Sequence, residues 1–211
     1  QGALTEMARY YHGRLKVVPK VVDWLKEHYG ISEETIDSLL IGYSRNAGWK
    51  DTQDGEHPGV IAHLVGCGDA YTMREIAGTG AFNLTRNDDL MPAFDNRLVF
   101  PYWSRGRVVF MIARKTPWTP DNEWEQSKYK KLKCHDEHSR RHIAPCVNNG
   151  YLYNEDCLLS KPDRIIITEG VTDCISLMQH GFPTISPVTI QIKDDDWKRI
   201  LPKLAGVKTV Y

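Results

Sequence analysis

Between Pro19 and Gly30 the apolar residues fall at 21, 22, 25 and 29, the three-to-four spacing of one helical face. Pro19 suits the first helical position and Gly30 the stop. Upstream, Ala8-Arg9-Tyr10-Tyr11-His12 opens an earlier helix with its aromatic pair half buried. Downstream, Ser32 is an N-cap, Glu33 and Glu34 favour the first turn, and Ile36, Leu39 and Leu40 form a core face ended by Gly42. A helical hairpin joined by Gly30-Ile31-Ser32 is expected. Periodicity then lapses: residues 44–60 read as polar loop, Tyr71 to Ala77 as helix, and Gly78-Thr79-Gly80 as a break. That Gly-x-Gly has no strand before it and no third glycine, so it carries little weight as a dinucleotide site.

A strand pattern returns at Arg97-Leu98-Val99-Phe100-Pro101-Tyr102-Trp103 and again at Val108-Val109-Phe110-Met111-Ile112-Ala113. Ser104-Arg105-Gly106-Arg107 between them has turn chemistry, which predicts a hairpin ending on Arg114 and Lys115. Pro101 inside its first strand predicts an edge or a bulge. Pro117 to Pro145 is irregular. Tyr151-Leu152-Tyr153-Asn154 and a short segment to Ser160 lead to Arg164-Ile165-Ile166-Ile167-Thr168, whose β-branched run suits a strand buried on both faces. A helix near Cys174, a shorter strand at Pro183–Pro187, a helix over Trp197–Leu204 and a strand from Val207 complete an alternating order. That order predicts an incomplete parallel α/β sheet over 161–211, after an α+β part over 1–160.

Composition changes little and charge changes more. The apolar and charged fractions are those of a globular protein, and no apolar run approaches membrane-spanning length. No signal-peptide core is visible near Glu6, Arg9 and Arg14, and five scattered cysteines suit reduced thiols in a cytoplasm. The net charge is zero, yet residues 97–142 hold eleven Lys/Arg against five Asp/Glu, while residues 1–96 hold nine against fourteen. This basic island interleaves Trp118, Trp124 and Tyr129 with Lys128, Lys130, Lys131, Lys133, Arg140 and Arg141. Cations neutralise phosphates and aromatic faces stack on bases of any sequence, a mixture suited to single-stranded nucleic acid. The alternatives are a solvated surface and tryptophans that merely anchor a long loop.

Three clusters could carry metal chemistry. Glu169-Gly170 ends the isoleucine strand, and Asp173 lies four residues on. Two carboxylates on the rim of an α/β sheet can hold Mg²⁺ or Mn²⁺, or can be a solvated acid beside a helix cap. Cys134, His138, His142 and Cys146 recur every fourth residue with zinc-type ligands, but Pro145 interrupts any helix presenting all four. Asp194-Asp195-Asp196 reads best as N-cap and first-turn charge for the helix after it.

Taken in order, these blocks resemble the RNA-polymerase core of bacterial DnaG-type primases, including phage and mobile-element relatives. Glu169-Gly170-x-x-Asp173 after Ile165–Thr168 looks like the first acidic motif of the Toprim fold. Ala8–His12, Trp24 through Ile36, Ile41-Gly42-Tyr43, Phe94-Asp95-Asn96-Arg97 to Arg114, Lys128-Tyr129 and Leu152-Tyr153 resemble further blocks of that core. The resemblance implies a primase-core subdomain followed by a partial Toprim subdomain. It implies metal-dependent RNA primer synthesis from ribonucleoside triphosphates on single-stranded DNA, with a replicative helicase as a further candidate partner. Glu169 and Asp173 would be the catalytic metal acids. Arg97, Arg114, Lys128 and Tyr129, with Lys130 and Lys131 beside them, would face nucleotide or template. The family's zinc-binding module has no counterpart here. Its Asp-x-Asp would follow the strand at Val207, and Pro187-Val188-Thr189 replaces its usual Gly-Thr. Half of the metal ligands are therefore expected to be missing. A non-catalytic nucleic-acid-binding accessory and another Toprim enzyme, a nuclease or topoisomerase, are the rival readings.

Overall fold

The structure is a computed structural model that describes residues 2–45, 58–68, 70–85, 87, 89–121, 123, 126–134, 143–188 and 194–211. Most of the polar loop 44–60, Trp124, Arg140, Arg141 and Thr189 lie outside the described residues.

Helix α1 (Gly2–Lys16) is longer than its aromatic core predicts and buries Leu4, Met7, Tyr11 and Leu15. Helix α2 (Pro19–Tyr29) starts on its proline and ends on Gly30, whose N–H donates to the Lys26 carbonyl. Ser32 caps α3 (Glu33–Ser38) by accepting from the Thr35 N–H at 3.2 Å, an interaction worth about 1 kcal/mol. This helix stops before Leu39, and Leu40 takes a positive φ of 50°. Gly42 therefore begins a strand, β1 (Gly42–Ser44), rather than ending a helix.

The reason for glycine there is close approach. A Cβ on Gly42 would stand 2.5 Å from Tyr11 Cβ and 2.6 Å from the Tyr11 backbone carbon, so α1 can lie on the strand only over a bare Cα. Gly42→Ala is expected to cost about 1–3 kcal/mol of stability through overpacking. Thermal unfolding checks this, and an unchanged midpoint would mean that α1 is not seated there.

Helices α4 (Val60–Gly66) and α5 (Met73–Gly78) follow, the latter held by a capping box between Thr72 and Glu75. Strands β2 (Phe82–Leu84) and β3 (Leu90–Pro92) pair antiparallel. The predicted hairpin is present as β4 (Arg97–Ser104) and β5 (Arg107–Lys115). Its turn residues Arg105 and Gly106 both take positive φ, 50° and 73°, as a primed turn requires. Strand β6 (Tyr129–Lys131) adds to β5, giving the sheet order β1-β4-β5-β6. β1 reaches only to Val99, so Pro101 has no strand on that side, and a bulge follows at Tyr102/Trp103.

A second sheet has the order β10-β8-β9-β7, built from β7 (Leu152–Tyr153), β8 (Arg164–Ile167), β9 (Thr184–Pro187) and β10 (Thr209–Val210). β8 is parallel to both β9 and β10, as the alternating order predicts, while β7 is antiparallel to β9. Leu152-Tyr153, which the sequence leaves without a strand in the first part, thus belongs to the second sheet. Only Ile165 of the three isoleucines is fully buried; Ile166 and Ile167 are half-buried. Helix α6 (Val171–Gln179) links β8 to β9, and α7 (Asp194–Ile200) precedes β10. Asp194 and its two neighbours form the first turn of α7 rather than preceding it.

Helix α6 and Tyr153 pack into the core of the first sheet, and β8 and β9 have a smaller one. Val171, Cys174 and Ile175 of α6 join the same buried cluster as Leu25, Phe100 and Phe110, while Leu152, Leu158, Ile165, Ile185 and Ile200 form a smaller one. Tyr153 meets Tyr102 edge-to-face at 5.0 Å.

Candidate active-site cleft

The cleft is assembled by the way α6 docks on the end of α2. Gln179 Nε2 donates to the Gly30 carbonyl at 2.8 Å, the Ser32 N–H donates to Gln179 Oε1 at 3.1 Å, and the Ser176 hydroxyl donates to the Tyr29 carbonyl at 3.3 Å. These bonds, between residues far apart in sequence, set the first turn of α6 opposite Tyr29 and the ends of β5 and β6. Between them lies a cleft of about 710 Å³.

One wall is the β8–α6 turn, with Glu169, Gly170, Thr172 and Asp173, and the facing wall is Arg114, Lys128, Tyr129 and Lys131. Glu169 and Asp173 are exposed. The helix begins at Val171, so Asp173 is a first-turn residue rather than its cap, where a carboxylate is favoured by the helix dipole. A Cβ on Gly170 would stand 2.8 Å from Asp173 Oδ2, so the bare glycine leaves room for that oxygen beside the turn. Burial pushes the neighbouring Cys174 thiol far up, with a hydrogen bond to Thr168 opposing it.

Arg114 holds the opposite wall. It is 8% exposed, and its guanidinium lies over Tyr29 at 4.6 Å and near Trp24 and Tyr129, each at 5.8 Å. Its Nε and Nη1 are buried with no hydrogen-bond acceptor among the described residues. The aromatic faces offset part of the cost of burying this charge, by about 0.5–2 kcal/mol per contact.

No family model matches the chain. A curated DNA primase of Legionella pneumophila is 26% identical over 183 residues, which cover 84% of this chain and 27% of the relative. The Escherichia coli primase catalytic core superposes with a TM-score of 0.71 at 19% identity, over 99% of this chain and 60% of that structure. The RNA polymerase domain of Mycobacterium tuberculosis primase DnaG, in complex with a double-stranded DNA oligomer carrying a 6-nucleotide overhang, gives 0.73 at 15% identity over 97% and 59%. A DnaG primase catalytic domain bound to single-stranded DNA gives 0.68 at 20% identity over 99% and 62%. The fold is that of a DnaG-type primase catalytic core. The chain spans less than two thirds of each of these core structures and a smaller share of the Legionella relative.

On this primase-core fold the sequence-predicted residues separate into two groups. Glu169, Asp173, Arg114, Lys128, Tyr129 and Lys131 all line one cleft. Lys130 does not, because alternation along β6 sends it to the other face from Tyr129 and Lys131. Arg97 does not face the cleft either. It is 1% exposed, and its Nη1 donates to the Ser127 and Lys128 carbonyls at 3.0 and 3.1 Å. It holds the backbone that presents Lys128, from behind.

The cleft also contains residues that the sequence does not mark as site residues: Tyr29, which it places in the apolar stripe of α2, and Thr172, Pro187 and Val188. Pro187 and Val188 stand where the family's Gly-Thr was expected and give the cleft an apolar side. Among the described residues no group of three or more His, Cys, Asp or Glu side chains could hold a metal ion. Cys134 and Cys146 are half-buried and not disulfide-bonded, and the His138 and His142 of the zinc pattern lie outside the described residues. A second cleft, of about 700 Å³, lies by the β4–β5 turn between Arg105, Lys161 and Lys203. Its carboxylates are engaged within the protein, Glu155 with Lys203 and Asp156 with the Arg105 N–H.

Proposed function

We propose that this chain is the nucleotidyl-transfer core of a DNA primase, which joins ribonucleoside triphosphates into an RNA primer on a single-stranded DNA template. The observation that carries the reading is the cleft. A pair of carboxylates on one wall faces Arg114, Lys128 and Lys131 on the other, on a primase-core fold. Phosphoryl transfer asks little covalent work of side chains and depends on placing cations around phosphates. DNA-bound relatives of the same fold support a nucleic-acid partner.

Glu169 and Asp173 suit Mg²⁺ or Mn²⁺, since such ions are commonly held by one or two carboxylates with the remaining positions left to substrate phosphates and water. A bound ion would supply Lewis acidity at the transferring phosphate. The protein's own part is positional. Arg114 offers a buried, oriented fork to phosphate oxygens, and Lys128 and Lys131 add point charges at the exposed edge. Tyr129 gives a ring beside them on which a base can stack. Five free cysteines suit a reducing, cytoplasmic setting. A helicase partner belongs to the same reading. Among the described residues no helix is long and apolar enough to cross a membrane.

The test is the salt dependence of single-strand binding. Each phosphate contact removed lowers the slope of log affinity against log salt by about 0.7 on single strands. The Arg114→Ala, Lys128→Ala double variant should bind oligo-dT more weakly, with a slope shallower by roughly 1.4. An unchanged slope would remove both residues from the nucleic-acid path.

A further inference from the structure

The second cleft lies at the far end of the β4–β5 hairpin from the first. Arg107 begins β5 at this end, and Arg114 stands seven residues along the same strand, about 23 Å away. The walls are the hairpin turn and two 3₁₀ turns, Glu155–Ser160 and Leu201–Leu204. Arg105, Arg107, Lys161 and Lys203 line it against two carboxylates, a local excess of two positive charges. Glu155 is buried and paired with Lys203, and Asp156 accepts the Arg105 N–H at 2.6 Å. Arg105, Arg107 and Lys161 are exposed and form no ion pair among the described residues.

Two of these cations sit where the backbone disfavours them. Arg105 has a φ of 50° and Lys161 one of 49°, left-handed positions at which glycine is the usual residue. Lys161 closes its 3₁₀ turn with its N–H on the Leu158 carbonyl, and Arg105 reaches Asp156 through its N–H. Both bonds come from the backbone, so a glycine would make them without strain. A strained residue whose charge has no partner in the protein points to a ligand, and here two of them open on one cleft.

We propose that this cleft binds a free nucleotide, with its phosphates on Arg105, Arg107 and Lys161 and its base against Tyr151. Guanidinium forks match phosphate oxygens, and the local excess of two positive charges matches a phosphate group of about −2. The volume of about 700 Å³ falls within the roughly 300–1,000 Å³ of small-molecule sites. An inorganic anion would use only the cations. Tyr151 is half-buried and Leu159 is 63% exposed on the same cleft, an apolar side that a base covers. The site lies beyond the primer-synthesis reading and does not depend on it, since a ligand here touches neither Glu169 nor Arg114.

The test is calorimetric titration of the full-length protein with ADP in EDTA, which withholds divalent ions from Glu169 and Asp173. ADP should bind the wild type and the Arg114→Ala, Lys128→Ala variant equally. Arg107→Ala and Lys161→Gly should each weaken it roughly tenfold or more, the effect of one lost charge-assisted bond. Tyr151→Leu should weaken it roughly fivefold or more, the low end for a lost stacked base, and inorganic phosphate should bind more weakly than ADP. Arg105→Gly and Lys161→Gly should hold or raise the melting temperature while lowering affinity, because each removes a left-handed side chain. ADP binding that survives the Arg107 and Lys161 variants, or is lost in the Arg114, Lys128 variant, would overturn the proposal. Absence of ADP binding by the wild type would do the same. Phosphate binding as tight as that of ADP would overturn the nucleotide and leave a plain anion site. Glycine variants that lose stability in step with affinity would also overturn it, as damage to the turns. None of these outcomes touches the primer-synthesis reading.

Discussion

Glu169→Gln, made in the full-length protein that carries this chain, should reduce metal-dependent primer synthesis by about 10³-fold or more, roughly 4 kcal/mol of lost transition-state stabilisation. The substitution keeps the shape of the side chain and removes its charge. Glu169 is exposed at the end of β8, so folding should be little affected. Single-strand affinity should stay within about twofold, because the proposed reading gives the phosphates to the cations on the opposite wall. The separation of the two effects is the informative part. An equal loss of synthesis and of binding would show that Glu169 holds the turn in place rather than acting on the reaction.

The second large effect concerns Arg97, which the sequence places among the nucleic-acid contacts and the structure places inside the first sheet. Arg97→Leu takes the donor from the Ser127 carbonyl, at about 1–3 kcal/mol for a group left unpaired, while the Lys128 carbonyl keeps the Lys115 N–H at 2.9 Å. Relief from burying a charge offsets part of this cost. A net loss of about 1–3 kcal/mol is expected, which lowers the melting temperature of a chain this long by roughly 2–12 °C. Arg97→Lys should restore little, since an ammonium cannot reproduce the planar fork. Denaturant unfolding and oligo-dT binding together decide the role. A stable Arg97→Leu protein with a shallower salt slope would put Arg97 on the phosphate path after all.

What could be read in advance follows the range of the forces involved. Helix α2 was legible because Pro19, the 21/22/25/29 stripe and Gly30 are all local signals. The β4–β5 hairpin was legible because two apolar runs flank turn chemistry. Gly42 was misread as a helix stop because a three-residue strand has too little pattern to show, and its need for glycine comes from Tyr11, thirty-one residues away. Helix α4 went unnoticed because a short apolar run such as Val60-Ile61-Ala62 has no period that separates helix from strand.

The candidate site divides in the same way. Glu169 and Asp173 lie four residues apart in one turn and carry their motif with them. Arg114, Lys128 and Lys131 stood out by charge. Tyr29 enters the cleft only because Gln179 grips Gly30 from across the fold, which no local pattern encodes. Arg97 faces nucleotide or template only by the family resemblance; its burial goes with donors to the Ser127 and Lys128 carbonyls, 30 and 31 residues away, which no local pattern encodes.

The most direct measurement is template-dependent incorporation of labelled ribonucleotides by the full-length protein on single-stranded DNA, with Mg²⁺ or Mn²⁺ supplied. Short RNA products that require both the metal ion and the DNA are the predicted result. Tight single-strand binding with no product under either metal would contradict the account and leave the chain a nucleic-acid-binding module.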